Sequence, residues 1–357
     1  MFVLTIFYMI LKKLKLHNFR NFKDKDFTFS PFLTLVIGEN SKGKTNLLEA
    51  LYFLTFGFGF RETKEIELLN FESKDHSFVE GIFNQGEKEI KFKILLMSNN
   101  SFVKKAYFIN NLKAKHFNYL RDQTKAVLFT PQQLEIITGS PSRRRAYFDI
   151  LLSSYDFEYK KRLNNYENAL RKRNKILERS KYIENIESEI SFWNNFLIEQ
   201  AKYITSKREE YIKFINNNNK IDSKEFKIKH NKNEFIKEKL QEYKDIELRI
   251  KKTLIGPQKD DFQIFIKNTI TKDVQKFGSR SEQRLSILWL KMNEILFYEK
   301  NYNKKPILLF DDVFSEFDYK NKKLVINLFK KYQTITTTTD IGILQLAEIP
   351  KSIIKLS

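Results

Sequence analysis

Hydrophobic and polar positions change their period several times along the chain, and each change marks an element. Leu14 and Leu16, and later Phe27 and Phe29, recur at every second position around the polar turn HNFRNFKDKD, which predicts strands. FLTLVIGEN (32–40) reads as a mostly apolar strand running into a polar, Gly-containing loop. KTNLLEALYFLTF follows, with Leu47, Leu48, Leu51 and Leu54 on one helical face. From 76 to 130 the pattern is β-rich: SFVEGIF, EIKFKILLM, KAYFIN and AVLF, separated by Asn, Gly and Lys.

Around Pro141 the composition shifts. From Ser142 to about Asn216 there is neither Gly nor Pro, and charged residues alternate with Leu, Ile, Tyr and Phe at helical spacing. Two long helices forming an antiparallel pair are the expected result. NNNN (216–219) marks a loop, and a further charged helix is expected from about 232 to 253. GPQKDDFQIFIK restarts β structure, RSEQRLSILWLKMNEILFYEK is an amphipathic helix, and PILLFD and KYQTITTTTD are strands. No internal repeat is visible. The expected class is α/β, with residues 1–140 and 254–357 as two halves of one nucleotide-binding head and 141–253 as an inserted, mainly helical lobe.

Composition narrows the chemistry. The 357 residues are 41% hydrophobic, with 34 Phe, enough for a substantial core in more than one lobe. There is no cysteine, so disulfides and Cys-based zinc sites are excluded, and a reducing, cytoplasmic setting fits. His17, His76, His116 and His230 show no metal-ligand spacing. The apolar start MFVLTIFYMIL is about half the length of a membrane span and has no preceding positive charge, so no membrane role is expected. Phe2 to Met9 reads instead as an extension of the first strand or the product of an early start codon, with Met9 as the alternative start. The formal net charge of +20 suggests a polyanionic partner, although a Lys-, Asn- and Ile-rich composition also raises it.

One motif carries definite chemistry. Gly38-Glu39-Asn40-Ser41-Lys42-Gly43-Lys44-Thr45 matches the phosphate-binding pattern G-x-x-x-x-G-K-[ST] without a mismatch, after a strand and before a helix. Its glycines let the backbone close on phosphate oxygens; Lys44 would reach the β and γ phosphates of ATP and Thr45 would ligate Mg²⁺. Far downstream, ILLFDD ends a buried strand at Asp311, suited to the Mg²⁺ shell, followed by Asp312 as the candidate carboxylate that orients or deprotonates the attacking water.

These motifs, with NLLEALYFL, GSPSRRRAYFD, GPQKDDF, FGSRSEQR and LLFDDVFSEFD in that order, resemble the RecF family of bacterial DNA replication and repair proteins, within the ABC-type ATPases that include the chromosome-maintenance heads. The resemblance spans Leu14 to about Thr339. It implies an ABC-ATPase head interrupted by a helical lobe, and an ATP-dependent homodimer with two nucleotides sandwiched between signature motif and phosphate loop. Ser279 stands at the signature serine, while Arg280, Ser281 and Glu282 depart from the family's usual Gln, Gly and Gln. Gln258 and Lys259 stand where His-Arg is usual, and Thr338, Thr339 or Asp340 where ABC ATPases carry a switch histidine. Asn46 and Arg61 are carried over as nucleotide neighbours, Asp318 as a contact across the dimer, and Gln132 or Gln133 as a Mg²⁺ sensor.

No base-reading motif appears, so DNA contact is expected at phosphates. Arg143, Arg144, Arg145, Lys160, Lys161, Arg171 and Arg173 cluster at the start of the helical lobe, near Tyr147, Tyr155 and Tyr159. Arg144 and Arg145 have a second reading, pairing with Asp149. The resemblance implies a slow, DNA-stimulated ATPase that binds single-stranded, gapped or junction DNA. With RecO- and RecR-type mediators it would help load recombinase and support the SOS response. A structural chromosome-associated head would need far longer coiled-coil arms, and an ATPase-linked nuclease would need a downstream acidic metal module; both remain the alternatives.

Overall fold

Apolar runs become parallel strands covered on both faces, and alternating stretches become antiparallel strands covered on one. The computed structural model describes residues 8–61, 64–72, 76–99, 102–179, 186–267, 270–312, 318–338 and 350–356. The chain divides into two units, Met1–Gln133 with Lys291–Ser357, and Leu134–Leu290.

The first unit begins with β1 (Met9–Phe19), β2 (Phe22–Thr28), β3 (Leu33–Gly38), α1 (Lys44–Phe56), β4 (His76–Gln85), β5 (Lys88–Asn99), β6 (Phe102–Ile109), β7 (Leu112–Ala114), α2 (His116–Asp122) and β8 (Ala126–Phe129). The second contains α3 (Glu135–Thr138), α4 (Pro141–Tyr155), α5 (Phe157–Glu178), α6 (Ile186–Asn217), β9 (Lys220–Ile221), β10 (Lys224–Asn231), α7 (Lys237–Ile250), β11 (Asp261–Lys267), β12 (Thr271–Asp273), α8 (Val274–Phe277) and the start of α9 (Arg280–Tyr302). The chain then returns to the first unit for β13 (Ile307–Asp311), α10 (Tyr319–Phe329), β14 (Thr334–Thr338) and β15 (Lys351–Leu356).

In the first unit, a six-stranded sheet has the order β2-β1-β4-β5-β6-β7 and is antiparallel throughout. A five-stranded sheet, β15-β3-β14-β13-β8, is parallel throughout. α1 is buried along its length from Leu47 to Phe56, not merely on the leucine face. Tyr52, Phe53 and Phe56 complete an apolar surface all round, as a helix in the middle of a core requires. Leu14 of β1, Val79 of β4 and Phe92 of β5 share one cluster with Val36, Leu309 and Ile335 of the parallel sheet. The carboxyl ends of β3, β14 and β13 lie in register, Val36 beside Thr337 and Thr337 beside Asp311. Ligands of open parallel sheets sit at such an edge.

In the second unit, the stretch expected to form two helices forms three. Asp156 ends α4 and caps α5, its carboxylate accepting from the Tyr159 N–H at 2.9 Å. Residues 254–290, expected with the C-terminal half of the head, belong to this inserted unit, because β11 pairs along its length with β10. Strands β9 and β10, helix α2 and the final strand β15 have no counterpart in the hydrophobic pattern. β15 alternates half-buried and exposed residues and completes the parallel sheet beside β3. Among the described residues no helix is long and apolar enough to cross a membrane. Residues 1–7, which include most of the expected extension of the first strand, lie outside those described.

Candidate nucleotide site

The phosphate loop leaves β3 at Gly38 and enters α1 at Lys44. Gly43 has φ +96°, and a Cβ there would lie 2.6 Å from the Asn21 side chain and 2.9 Å from Phe22. Both the left-handed backbone and the close approach therefore demand glycine. A Cβ on Gly38 would lie 2.7 Å from the Leu356 carbonyl of β15, so the other glycine of the motif is where the sheet closes on the loop. Glu39, Asn40, Ser41 and Lys42 form the exposed crest, and Ser41 adopts φ +69°. The buried Lys44 ammonium donates to the carbonyls of Gly38 at 2.6 Å and Glu39 at 3.0 Å, which holds its charge inside the loop.

Across the sheet edge, the Thr45 hydroxyl donates to Asp311 Oδ1 at 3.0 Å, joining residues 266 positions apart. Thr337 Oγ1 donates to the same oxygen at 2.9 Å and accepts from the Asp312 N–H at 2.9 Å. Burial pushes the Asp311 carboxyl above its ordinary range; the Thr337 and Thr45 hydroxyls and the Arg61 charge pull it down, and Asp312 pushes it up again. Asp312 is exposed at the strand tip with φ +52°, a left-handed backbone that aspartate tolerates. A hydroxyl and a buried carboxylate meeting below a glycine cradle with a captive lysine are the oxygen ligands and the anion donors that Mg²⁺ and a triphosphate require. The residues present fit that group, and a bound cation would reverse the unfavourable burial of the Asp311 charge.

Four residues here were not among the expected site residues: Arg20, Asn21, Glu49 and Thr337. Glu49, fully buried on α1, accepts from Arg20 at 2.8 Å and Arg61 at 2.7 Å. Arg61 also donates to Asn46 at 2.5 Å, and Asn46 to Asn21 at 2.7 Å. Arg61, expected as a nucleotide neighbour together with Asn46, is thus tied to α1 by both Glu49 and Asn46. Arg20, Asn21, Asn46, Arg61, Glu67 and Phe71 line a recess of about 290 Å³. A charged residue at the centre of an apolar helix was the signal for Glu49. The run of threonines in a strand with no exposed position was the signal for Thr337.

In the second unit, Ser279 precedes α9 in a reciprocal cap. Its N–H donates to Glu282 Oε2 at 2.7 Å, while its hydroxyl accepts from the Glu282 N–H at 3.3 Å. Lys272 lies 2.9 Å from the same carboxylate. Burial alone would raise the Glu282 carboxyl, but Lys272 and the Ser279 donors outweigh it and hold it at about 2.

The proposed DNA-contacting arginines divide. Arg144 is buried and donates to both Asp261 oxygens, at 2.7 and 3.2 Å; Arg173 is buried with Glu247 at 2.7 Å, Asn194 at 2.8 Å and Thr253 at 2.7 Å. Neither can meet a phosphate without breaking the fold, so both are corrected to structural roles. The partner of Arg144 is Asp261, not Asp149; Asp149 is held by the buried Arg208 at 2.8 and 3.0 Å. Tyr147 and Tyr159 are buried and unavailable for stacking. Arg145 is half-buried and donates to the Asp260 carbonyl at 2.7 Å. Arg143, Lys161 and Arg171 are exposed, and Lys160 is partly so. Gln133 is used locally, its amide donating to the Leu128 carbonyl at 2.9 Å, and Gln132 is exposed. Asp318 caps α10 by accepting from the Asn321 N–H at 2.9 Å. Thr338 is buried, while Thr339, Asp340 and residues 313–317 lie outside those described.

Known proteins resemble this chain over nearly its whole length. The family model of the RecF/RecN/SMC N terminal domain matches residues 10–356. The DNA replication and repair protein RecF of Acetivibrio thermocellus is 32% identical over 93% of this chain and 94% of its own length. RecF of Clostridium kluyveri is 32% identical over 97% and 96%. A solved structure of the recombination mediator protein RecF-ATP in the RecFOR pathway superposes with TM-score 0.82 at 29% identity, covering 93% of this chain and 92% of that one. The Smc head domain of Pyrococcus furiosus, at TM-score 0.52 and 19% identity, shares the ABC-ATPase head fold. With the family model and relatives of 32% identity matching nearly the whole chain, the protein belongs to the RecF family.

Proposed function

We propose that the chain is an ATP-binding switch of DNA replication and recombinational repair, hydrolysing ATP slowly to change its own association rather than to alter DNA. The observation that carries this reading is the Thr45 to Asp311 hydrogen bond, which joins the two halves of a Mg²⁺–triphosphate site. Lys44 and the amides of residues 39–43 would hold the phosphates, Thr45 and Asp311 the metal, and the recess walled by Asn21 and Arg61 the nucleoside. Bound Mg²⁺ would supply charge neutralisation at the phosphates. Asp312, fixed by its N–H bond to Thr337, would orient the attacking water. Ser279 would face the nucleotide of a second copy and close a homodimer.

DNA binding, preference for single-stranded, gapped or junction forms, cooperation with RecO- and RecR-type mediators and a cytoplasmic location belong to the same reading. Support comes from the net charge of +20 and from relatives named for DNA replication and repair. Arg143, Arg145, Lys160, Lys161 and Arg171 stay as phosphate-contact candidates on the helical lobe.

The test is sedimentation with and without MgATP. Wild type is expected to move from monomer to dimer on adding MgATP. Lys44→Ala should remain monomeric, with ATP affinity lowered at least about tenfold because the charge-assisted bonds of one ammonium are removed. ATP binding unchanged by Lys44→Ala would overturn the assignment.

A further inference from the structure

The outward face of the six-stranded sheet carries residues that the nucleotide site does not use. Residues of β1, β4 and β5 alternate, and the inward set packs with α1. The outward set of an antiparallel sheet is ordinarily polar. Here a row crossing four strands reads His17, Phe78, Leu95 and Ala106, set by the pairings of 17 with 78, 78 with 95, and 95 with 106. The next outward pairs are Lys93 with Phe108 on one side and Met97 with Lys104 on the other, and Asn99 with Phe102 beyond. Phe102 is 50% exposed and Met97 40%.

Charge on this face is graded. Near the β2 edge it is neutralised, since Lys13 pairs with Asp26 and His17 with Asp24. Toward β5 and β6 the lysines instead meet rings. The Lys93 ammonium lies 3.8 Å from the centre of Phe78 although Glu80 is its cross-strand neighbour, and Lys104 lies 5.4 Å from Phe102. His17 stacks on Phe78 with centroids 5.3 Å apart. Lysine is depleted from the cores of protein interfaces, so interleaved rings and ammonium groups fit a different occupant. Aromatic side chains on an open sheet stack unpaired bases, and neighbouring cations take the phosphates between them. Phe102 and Phe108, six residues apart on one strand, are separated by on the order of 20 Å, room for several bases.

We infer that the β4–β6 portion of this face is a platform for single-stranded DNA, with Phe102 and Phe108 stacking on bases and Lys93 and Lys104 contacting phosphates. A duplex hides its base faces and gains only the lysine contacts. The inference rests on the DNA-binding reading above but assigns it a surface separate from the helical lobe.

The test uses the full chain and measures anisotropy of a labelled thymidine 30-mer and of a hairpin duplex with the same number of phosphates, across a salt series. Phe102→Ala should weaken binding of the single strand at least about fivefold and leave the duplex unchanged. Lys104→Glu should weaken both and lower the salt slope by about 1. Both positions are exposed, and an unchanged melting temperature and ATP affinity establish that the variants are folded. Wild-type single-strand affinity in the Phe102→Ala, Lys104→Glu double variant would overturn the platform while leaving DNA binding elsewhere intact. Equal losses for strand and duplex in Phe102→Ala would also overturn it, as would tighter binding of a uridine 30-mer than of the thymidine one. No binding of either DNA by the wild type would instead remove the DNA reading itself.

Discussion

At single residues, two carboxylates sit in opposite electrostatic situations. Glu282 has its pKa held at about 2, so its stabilising contribution is present above its ordinary value of 4.5 and is lost as pH falls toward 2. Glu282→Gln keeps the capping geometry but loses the charge-assisted bonds, at a cost of about 1 kcal/mol at pH 7. Thermal melts should show that deficit at pH 7 shrinking as pH drops from 4.5. The same carboxylate occupies the Ser279 N–H, which in the proposed homodimer a phosphate from the second copy would have to win. The glutamine variant should therefore dimerise at lower MgATP than wild type, and an unchanged threshold would remove Glu282 as a competitor.

Asp311 behaves the other way. Its carboxyl is raised by burial, so folding favours the protonated form and the ionised group carries a penalty. That penalty is absent well below the ordinary pKa of 3.8, grows as pH rises through 3.8 toward the raised value, and is constant above it. Asp311→Asn can still accept from Thr45 and Thr337. Without nucleotide at pH 7 it should melt about 2–4 °C higher than wild type, a gain on the order of 1 kcal/mol, with the difference closing below pH 4. Adding MgATP should raise the wild-type melting temperature and leave the variant's where it was.

At the scale of elements, what could be read in advance was what has a short-range signature. The phosphate loop is legible because glycine spacing, strand and helix all fall within about twenty positions. Helices α4 and α5 were harder to separate, because Asp156 breaks the run without a glycine or proline. β15 was illegible for a different reason: KSIIKL alternates too briefly to stand out, and its pairing with β3 is a matter of tertiary assembly. Yet it reaches the site, pairing Leu356 with Gly38 and placing its carbonyl where a side chain on Gly38 would collide. Deleting residues 350–357 should uncover the β3 edge and loosen the loop. ATP affinity is expected to fall several-fold while the far-ultraviolet spectrum keeps its helical signal. Unchanged affinity would show that β14 alone holds β3 in place.

For the whole molecule, the net charge of +20 overstates the surface available to a polyanion. Arg144, Arg173 and Arg208 are buried against carboxylates, and their pairing holds together helices and the β11 region rather than facing solvent. Sequence alone cannot separate such arginines from exposed ones, since both sit in charged helices, and only the positions of Asp261, Glu247, Asp149 and Asp260 distinguish them. Removing one partner of a buried pair costs about 3–5 kcal/mol, so alanine variants at Arg144 or Arg173 would unfold and would report nothing about contact with DNA. Arg143, Lys161 and Arg171 are exposed, and the ion pairs of Arg143 and Lys161 lie at the surface, where each is worth at most about 1 kcal/mol. The triple variant Arg143→Ala, Lys161→Ala, Arg171→Ala should therefore stay folded. If the helical lobe binds phosphates, the slope of log affinity against log salt should fall by up to about 0.9 for each phosphate no longer neutralised. A melting temperature within a degree or two of wild type, with the salt slope unchanged, would move the proposed phosphate contacts off this lobe.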